Sequence, residues 1–139
     1  MPERATITFS VTYDGNALDR TRSGLLAFLK GNAIDTDAIS EIELATYEVL
    51  ANIIEHSPAA ERGEEILCEC ALLQNRVEVR IEHRGSRFDL TEGSFPDLRE
   101  HFSKGKSSGL GIYIVRTLMD AVEYAYTGNR NVIRLVKEL

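Results

Sequence analysis

The chain has 139 residues, of which 43% are hydrophobic, and this size predicts one domain whose single core needs neither disulfides nor a metal. Its formal net charge of -6 argues against direct binding of nucleic acid and favours basic partner surfaces. No apolar run approaches the roughly 20 residues of a membrane span, and the first ten residues lack the apolar centre of a secretory signal. We therefore expect a cytoplasmic protein that does not bind a membrane.

The first half of the chain predicts one strand and two helices. Apolar and polar residues alternate over residues 6–11, which predicts a strand at the edge of a sheet. Leucines at helical spacing up to Gly31 predict the first helix. A second helix, with Thr36 and Asp37 as capping residues, carries an apolar stripe and ends near residue 57.

The second half predicts two hairpins with a helix between them. Residues 66–73 and 77–83 form the first hairpin, and a third helix begins near Gly109. Residues 122–127 and 132–136 form the second hairpin. This order predicts an α+β fold, a two-layer sandwich with a mixed, mostly antiparallel sheet that three helices cover on one face.

Residues 86–108 predict a long loop between the first hairpin and the third helix. The segment has weak periodicity, mixed charge, glycines and a proline. A loop of this length inside a compact domain is usually functional or mobile. We expect it to form a lid over a ligand site within a single domain that covers residues 1–139.

The two cysteines, Cys68 and Cys70, are separated by one residue in a predicted strand, so their side chains lie on the same face. The chain has no second cysteine cluster and only three histidines. The spacing therefore favours buried core thiols over a metal-binding or redox pair.

Glu48, Asn52 and His56 are spaced four residues apart in the second helix and form one polar ridge on an otherwise apolar element. A solvated helix face is the ordinary explanation of such a ridge. A run that leads into the third helix favours a ligand site instead, because it offers backbone N–H groups, a positive helix end and two lysines to phosphate. Its candidate residues are Lys104, Lys106, Ser107, Ser108, Gly109, Leu110, Gly111 and Ile112.

A second segment that favours a ligand site is the end of the strand at residues 77–83. By the period of two, His83 points to the same side as Val79 and Ile81, toward the helices, and the turn glycine Gly85 follows. Other phosphate-binding motifs fail on spacing. A Walker loop would need glycine where Glu100 stands, and a dinucleotide fingerprint would need it where Ile114 stands.

These segments resemble the ATP-binding fold shared by sensor histidine kinases, gyrase, Hsp90 and MutL, the GHKL or Bergerat fold, and within it the bacterial anti-sigma serine kinases. The resemblance covers nearly the whole chain. Glu48, Asn52 and His56 match the helix box of the family, and residues 109–120 are similar to its second glycine-rich box. The first glycine box of the family reads Asp-x-Gly-x-Gly, whereas residues 83–87 read His-Arg-Gly-Ser-Arg.

The resemblance implies an anti-sigma regulatory factor with ATP-dependent serine/threonine protein kinase activity toward an anti-anti-sigma (STAS-type) antagonist. Such a protein regulates transcription through bacterial partner switching, binds that antagonist, a sigma factor or both, and is often a homodimer. The implied cofactors are ATP and Mg²⁺, with Glu48 as the catalytic base and Asn52 as a metal ligand. The implied cofactor-binding residues are Asn52, His56, His83, Gly85 and the run Lys104, Lys106, Ser107, Ser108, Gly109, Leu110, Gly111 and Ile112.

An alternative function keeps the fold but needs little or no nucleotide, and such a module would sequester a sigma factor or an antagonist. His83 favours it, because imidazole has at most one acceptor nitrogen where the family has a carboxylate for the adenine amine. Arg87 favours it too, since it is bulky where the family has glycine, although a guanidinium is equally able to bind a phosphate or a partner carboxylate. Both functions predict a docking surface formed by the lid and by the first helix and its flanks, where Asp19, Arg20 and Arg22 are expected to be exposed.

Overall fold

The computed structural model describes residues 3–57, 63, 65–91 and 110–139. The elements follow the predicted order, and their bounds lie within two residues of those that periodicity predicts. They are β1 (Ala5–Val11), α1 (Gly15–Gly31), α2 (Thr36–His56), β2 (Ile66–Leu72), β3 (Arg76–Arg84), α3 (Leu110–Leu118), β4 (Ala121–Thr127) and β5 (Arg130–Glu138).

The strands form one sheet in the order β1-β2-β3-β5-β4, with β1 at an edge as predicted. Each pairing between described strands is antiparallel, where we expected a mixed sheet with mostly antiparallel pairs. At the centre of the sheet, Ile81 of β3 lies opposite Cys68 of β2 and Ile133 of β5. The α+β prediction is confirmed.

The two faces of the sheet differ in polarity because the side chains of each strand point alternately to one face and to the other. Val77, Val79 and Ile81 lie on the helix-covered face and are fully buried. Cys68 and Cys70 are also fully buried on this face, as predicted, and burial raises the pKa of each thiol to about 12. The opposite face carries charged residues in ion pairs, among them Arg130–Glu82 (3.2 Å), Arg80–Glu82 (3.5 Å) and Arg76–Glu78 (2.9 Å).

Local side-chain bonds start the first two helices. The Asp14 carboxylate accepts a hydrogen bond from the backbone N–H of Ala17 (2.8 Å) at the start of α1. At α2 the N-cap is Asp35, and its carboxylate accepts from the N–H of Asp37 (3.1 Å). The prediction that Thr36 and Asp37 cap this helix is therefore wrong, because Asp35, the residue directly before Thr36, satisfies the free N–H groups.

The helices cover one face of the sheet. Ile42, Val49 and Ile53 of α2 are buried, and Val115 of α3 packs into the same core. The helix α1 lies close to β1, since a Cβ at Gly24 would stand 2.5 Å from the Phe9 ring. Among the helices of the described ranges, we find none with both the length and the apolar character of a membrane span.

Candidate functional site

The polar ridge of α2 meets the beginning of α3. Glu48 and Asn52 are half-buried there. A Cβ placed on Gly111 would lie 2.6 Å from Asn52 Nδ2 and 3.0 Å from Glu48 Oε2. Any larger residue at position 111 would therefore collide with both side chains. The structure thus brings together three of the residues that the sequence predicts, and glycine at position 111 is what allows the approach.

A hydrogen bond orients Asn52 within this contact. Its side-chain Nδ2 donates to the backbone carbonyl of Glu48 (2.8 Å). Because Nδ2 makes this bond, the amide oxygen is the atom of Asn52 that a cation would contact. The carboxylate of Glu48 and the amide oxygen of Asn52 are both hard oxygen donors of the kind that Mg²⁺ prefers.

The predicted phosphate-binding run is described only at its end. Leu110 opens α3, and Gly111 and Ile112 follow in its first turn. Lys104, Lys106, Ser107, Ser108 and Gly109 lie outside the described residues, as does the predicted lid from residue 92 to residue 108. The roles given to these residues stay predictions.

His56 and His83 both contact the ring of Phe88, a residue that matches the family pattern but is not among the predicted site residues. The His56 and Phe88 rings are stacked, with centroids 5.9 Å apart and an interplanar angle of 25°. His83 meets the same ring edge-on at 6.4 Å and is only 6% exposed. The predicted inward orientation of His83 is confirmed, and Glu82 lies on the opposite face in ion pairs with Arg80 and Arg130.

Phe88 fills the space between the end of α2 and the sheet. The cavity that remains has a volume of about 10 Å³, which is at the lower limit for one water molecule. No purine base fits there beside the Phe88 ring. The cavity is lined by Ile53, His83, Phe88, Leu90, Tyr124, Asn131 and Ile133.

Asn131 of β5 fixes this arrangement from below. It is 1% exposed, and its side-chain oxygen accepts a hydrogen bond from the backbone N–H of Phe88 (2.8 Å). Its amide nitrogen donates to the carbonyl of Ser86 (3.0 Å), and the Tyr124 hydroxyl donates to its oxygen. Partial burial raises the pKa of the Tyr124 phenol, so the hydroxyl keeps its proton at neutral pH. Asn131 was not predicted as a site residue, because the alternating pattern places the start of this strand at residue 132, whereas β5 begins at Arg130.

Hydrogen bonds at both ends fix the position of residues 85–91, which we call the 85–91 loop. The backbone N–H of Gly85 donates to the carbonyl of Asn129 (2.9 Å), and the Tyr126 hydroxyl donates to the carbonyl of Gly85 (3.0 Å). At the other end, the Arg116 guanidinium of α3 donates to the carbonyl of Thr91. Gly85 has φ 139°, a conformation that L-residues with side chains rarely adopt, and so makes the sharp exit from β3 possible.

Arg87 does not enter the cavity in this arrangement. Its guanidinium carbon lies 5.7 Å from the centre of the Tyr124 ring, and it forms an ion pair with Asp89 at 3.5 Å. The Arg87 side chain is half-exposed. These contacts add a cation–π interaction to the hydrogen bonds that hold the loop against β4.

The described residues thus fit one end of a magnesium nucleotide and not the other. The oxygen donors of Glu48 and Asn52 beside the first turn of α3 suit a cation and phosphate oxygens. At the base-binding end, a buried imidazole stands where the family resemblance predicts a carboxylate, and Phe88 fills the space. No group of three or more His, Cys, Asp or Glu side chains able to hold a metal occurs within the described ranges.

The predicted docking helix presents charged groups. Asp19 and Arg20 of α1 are exposed, and Arg22 is half-exposed. Arg22 forms an ion pair with Glu43 of α2, and its guanidinium carbon lies 5.2 Å from the centre of the Tyr47 ring. These contacts hold the Arg22 side chain in a defined position on the surface between α1 and α2.

A helix-covered antiparallel sheet, with a Glu/Asn pair of its second helix facing the first turn of α3, defines a two-layer α+β domain. Comparison with known proteins identifies the class. Residues 11–137 match the model of the histidine kinase-like ATPase domain, and the chain belongs to this family.

Curated relatives carry the name serine-protein kinase RsbW. The protein of that name from Listeria monocytogenes serovar 1/2a is 29% identical over 102 residues, which are 70% of this chain and 64% of the relative. The one from Bacillus licheniformis is 29% identical over 90 residues, 62% of this chain and 56% of the relative. The chain thus spans less than two thirds of the length of these relatives.

Two solved structures share the fold. The structure of the RsbU and RsbW domains of Rv1364c from Mycobacterium tuberculosis matches with a TM-score of 0.72 at 18% identity, over 97% of this chain and 32% of that one. The SiaB-SiaC complex from Pseudomonas aeruginosa matches with a TM-score of 0.66 at 12% identity, over 96% of this chain and 89% of the other. At these identities the match establishes the architecture.

Proposed function

We propose that this chain is an anti-sigma regulatory factor that acts as an ATP-dependent serine/threonine protein kinase on a STAS-type antagonist in a bacterial partner-switching system. The observation that carries the proposal is the approach of Glu48 and Asn52 to the start of α3 at Gly111. The relatives named serine-protein kinase support the activity. A structural neighbour that was solved in complex with another protein supports partner binding.

The proposed chemistry uses Glu48 as the base and Asn52 as the metal ligand. The cofactors are ATP, which supplies the phosphoryl group, and Mg²⁺, which neutralises phosphate charge. Glu48 accepts the proton of the incoming serine or threonine hydroxyl as its oxygen bonds to the γ-phosphorus. The bond from that phosphorus to the β,γ-bridging oxygen breaks, and ADP leaves. Asn52, one helical turn along α2, would hold the cation through its amide oxygen.

The remaining cofactor-binding residues belong to the same proposal. His56, His83 and Gly85 would form the base-binding end, and Leu110, Gly111 and Ile112, which open α3, would form the phosphate end. Lys104, Lys106, Ser107, Ser108 and Gly109 would supply charge and N–H groups to phosphate. The protein partner is the antagonist, a sigma factor or both, and it would dock on α1 around Arg20 and Arg22. A homodimer in the cytoplasm is the expected working form.

The first test is a calorimetric titration of the protein with Mg²⁺ and ATP. We expect Asn52→Ala to weaken binding about 10-fold or more, because it removes the metal ligand. Asn32→Ala is the matched control, since Asn32 also donates from Nδ2 to a carbonyl four residues back, that of Phe28 (2.8 Å). Equal losses in both variants would mean that Asn52 acts only through helix stability and would refute its role.

The second test is phosphotransfer to candidate antagonist proteins. Glu48→Gln should keep MgATP affinity within about threefold and lower the transfer rate about 100-fold or more, as expected for a lost general base. Glu55→Gln on the same helix is the control, because its side chain is 70% exposed. A phosphotransfer rate in Glu48→Gln equal to that of the unmodified protein would exclude Glu48 as the catalytic base.

A nucleotide-independent binding module is the second candidate function. The observation that favours it is the Phe88 ring between His56 and His83, which leaves no space for a base in this conformation. Under this function neither ATP nor adenosine binds at millimolar concentration, while a purified antagonist or sigma factor still binds. Loss of partner binding on Arg22→Ala, with unchanged stability, would then identify α1 as the docking surface.

A further inference from the structure

The Phe88 ring contacts the imidazoles of both His56 and His83. One face of its ring is stacked on His56 at 5.9 Å, and its edge meets His83 at 6.4 Å. The ring belongs to a loop that leaves the sheet at Gly85, and Phe88 itself is only partly buried. An aromatic side chain that reaches the interior from a loop can leave it without disrupting a strand or a helix.

The backbone of the loop is held by groups that would have to release it together. Phe88 N–H and the Ser86 carbonyl both bind the side chain of Asn131, which is 1% exposed. Phe88 N–H also lies 3.2 Å from the Tyr124 hydroxyl. If the loop moves away, the buried amide of Asn131 loses partners on both of its polar atoms unless water replaces them. These hydrogen bonds therefore stabilise the position of the loop in which Phe88 lies inside over a position in which it is withdrawn.

We propose that Phe88 is an internal plug of the base-binding end and that Asn131 is the latch that holds it. A purine base enters only when the 85–91 loop releases Asn131 and withdraws the Phe88 ring. The inference rests on the proposed function in that it takes a purine nucleotide as the ligand. Under this proposal the plug acts on the base-binding end alone, and the phosphate end at Glu48, Asn52 and Gly111 does not depend on the position of the loop.

With the plug in place, the apparent association constant for a base equals the intrinsic constant multiplied by the fraction of molecules in the open state. Removal of the ring removes this factor and exposes the faces of His56 and His83. We therefore expect Phe88→Ala to bind adenosine about 10-fold or more tightly than the unmodified protein does. A plain core residue would behave in the opposite way, since its removal would loosen the site and weaken every ligand.

Two probes separate the two ends of the site. Adenosine carries the base without phosphate, and magnesium tripolyphosphate carries phosphate without a base. Each is titrated by calorimetry into the unmodified protein, Phe88→Ala and the control Phe9→Ala, which removes a phenylalanine that packs on Gly24 of α1. The expected result is tighter adenosine binding in Phe88→Ala alone, with tripolyphosphate affinity equal in all three proteins.

Three results would overturn the plug: adenosine binding that is unchanged in Phe88→Ala, adenosine binding that is weaker there, or an equal gain for both probes. If tripolyphosphate binds none of the proteins, the proposed kinase site fails, and the adenosine comparison still decides on the plug. Hydrogen exchange on the unmodified protein needs no variant. Saturating adenosine should speed exchange of the Phe88 amide, which donates to Asn131, and slower or unchanged exchange would contradict the withdrawal of the loop.

Discussion

Gly111→Ala should damage the candidate site while leaving the fold intact. The new Cβ would lie 2.6 Å from Asn52 Nδ2, closer than real Cβ contacts allow. Nδ2 is the end of a flexible side chain, so Asn52 rotates away and loses its hydrogen bond to the Glu48 carbonyl (2.8 Å). That loss costs about 0.5–1.5 kcal/mol, while alanine in place of glycine in a helix stabilises by up to about 1 kcal/mol.

The two contributions nearly cancel, so the free energy of unfolding should change by less than about 1 kcal/mol. Ligand binding has no such compensation, because the rotated Asn52 side chain would no longer offer its oxygen to the proposed cation. A lost hydrogen bond or contact to a charged group costs about 1.5–3 kcal/mol, which corresponds to about 10- to 100-fold in MgATP affinity.

The assay combines thermal unfolding with calorimetric titration of MgATP. Gly31→Ala makes the same chemical change at the last residue of α1, where a Cβ would meet nothing within 4 Å, and it should leave the affinity unchanged. Wild-type affinity in Gly111→Ala would refute the placement of the ligand at Asn52. A loss of several kcal/mol in stability would instead refute the estimate that Asn52 can rotate freely.

Three further predictions concern pH, a helix cap and the latch. Burial raises the pKa of Cys68 and Cys70 from 9.0 to about 12, so their stabilising contribution is complete below pH 9 and is lost between pH 9 and 12. In urea unfolding, the free energy of unfolding should fall over this range by up to about 1.4 kcal/mol per pH unit for each thiol. A free energy of unfolding that stays constant from pH 9 to 12 would contradict this. Asp35→Ala should cost about 0.5–2 kcal/mol in the same assay and Asp37→Ala less, and equal costs would argue against Asp35 as the cap. Asn131→Ala should lose about 1–3 kcal/mol by leaving Phe88 N–H and Ser86 C=O with fewer partners, and an unchanged midpoint would show that water replaces them.

Local patterns predict the elements of this chain because the strands and helices differ in period. The alternation in β3 correctly predicts that His83 faces the helices and Glu82 the open side. The spacing of Glu48 and Asn52 predicts a shared helix face, and the packing of α3 brings Gly111 to it. These features depend on residues within one element or on a glycine that the sequence makes visible.

Phe88 and Asn131 could not be predicted in the same way. They are 43 residues apart, and the hydrogen bond between them depends on the position of β5 beside β3. Nothing in the local sequence of residues 85–91 indicates that Phe88 turns inward, whereas Arg87 remains half-exposed. Asp35 was missed for a simpler reason, since three polar residues in succession each qualify as a helix cap.

The strand order has a consequence for how the chain folds during synthesis. β5 lies between β3 and β4, so β3 has no neighbour on one side until residues 130–138 have been made. A nascent chain that ends before them exposes the backbone edge of a strand that carries Val77, Val79 and Ile81, and such an edge invites pairing with other chains. A ribosome-bound chain that ends before residue 130 is thus exposed to aggregation, and the contacts that Asn131 makes with residues 85–91 form only after β5 has been made.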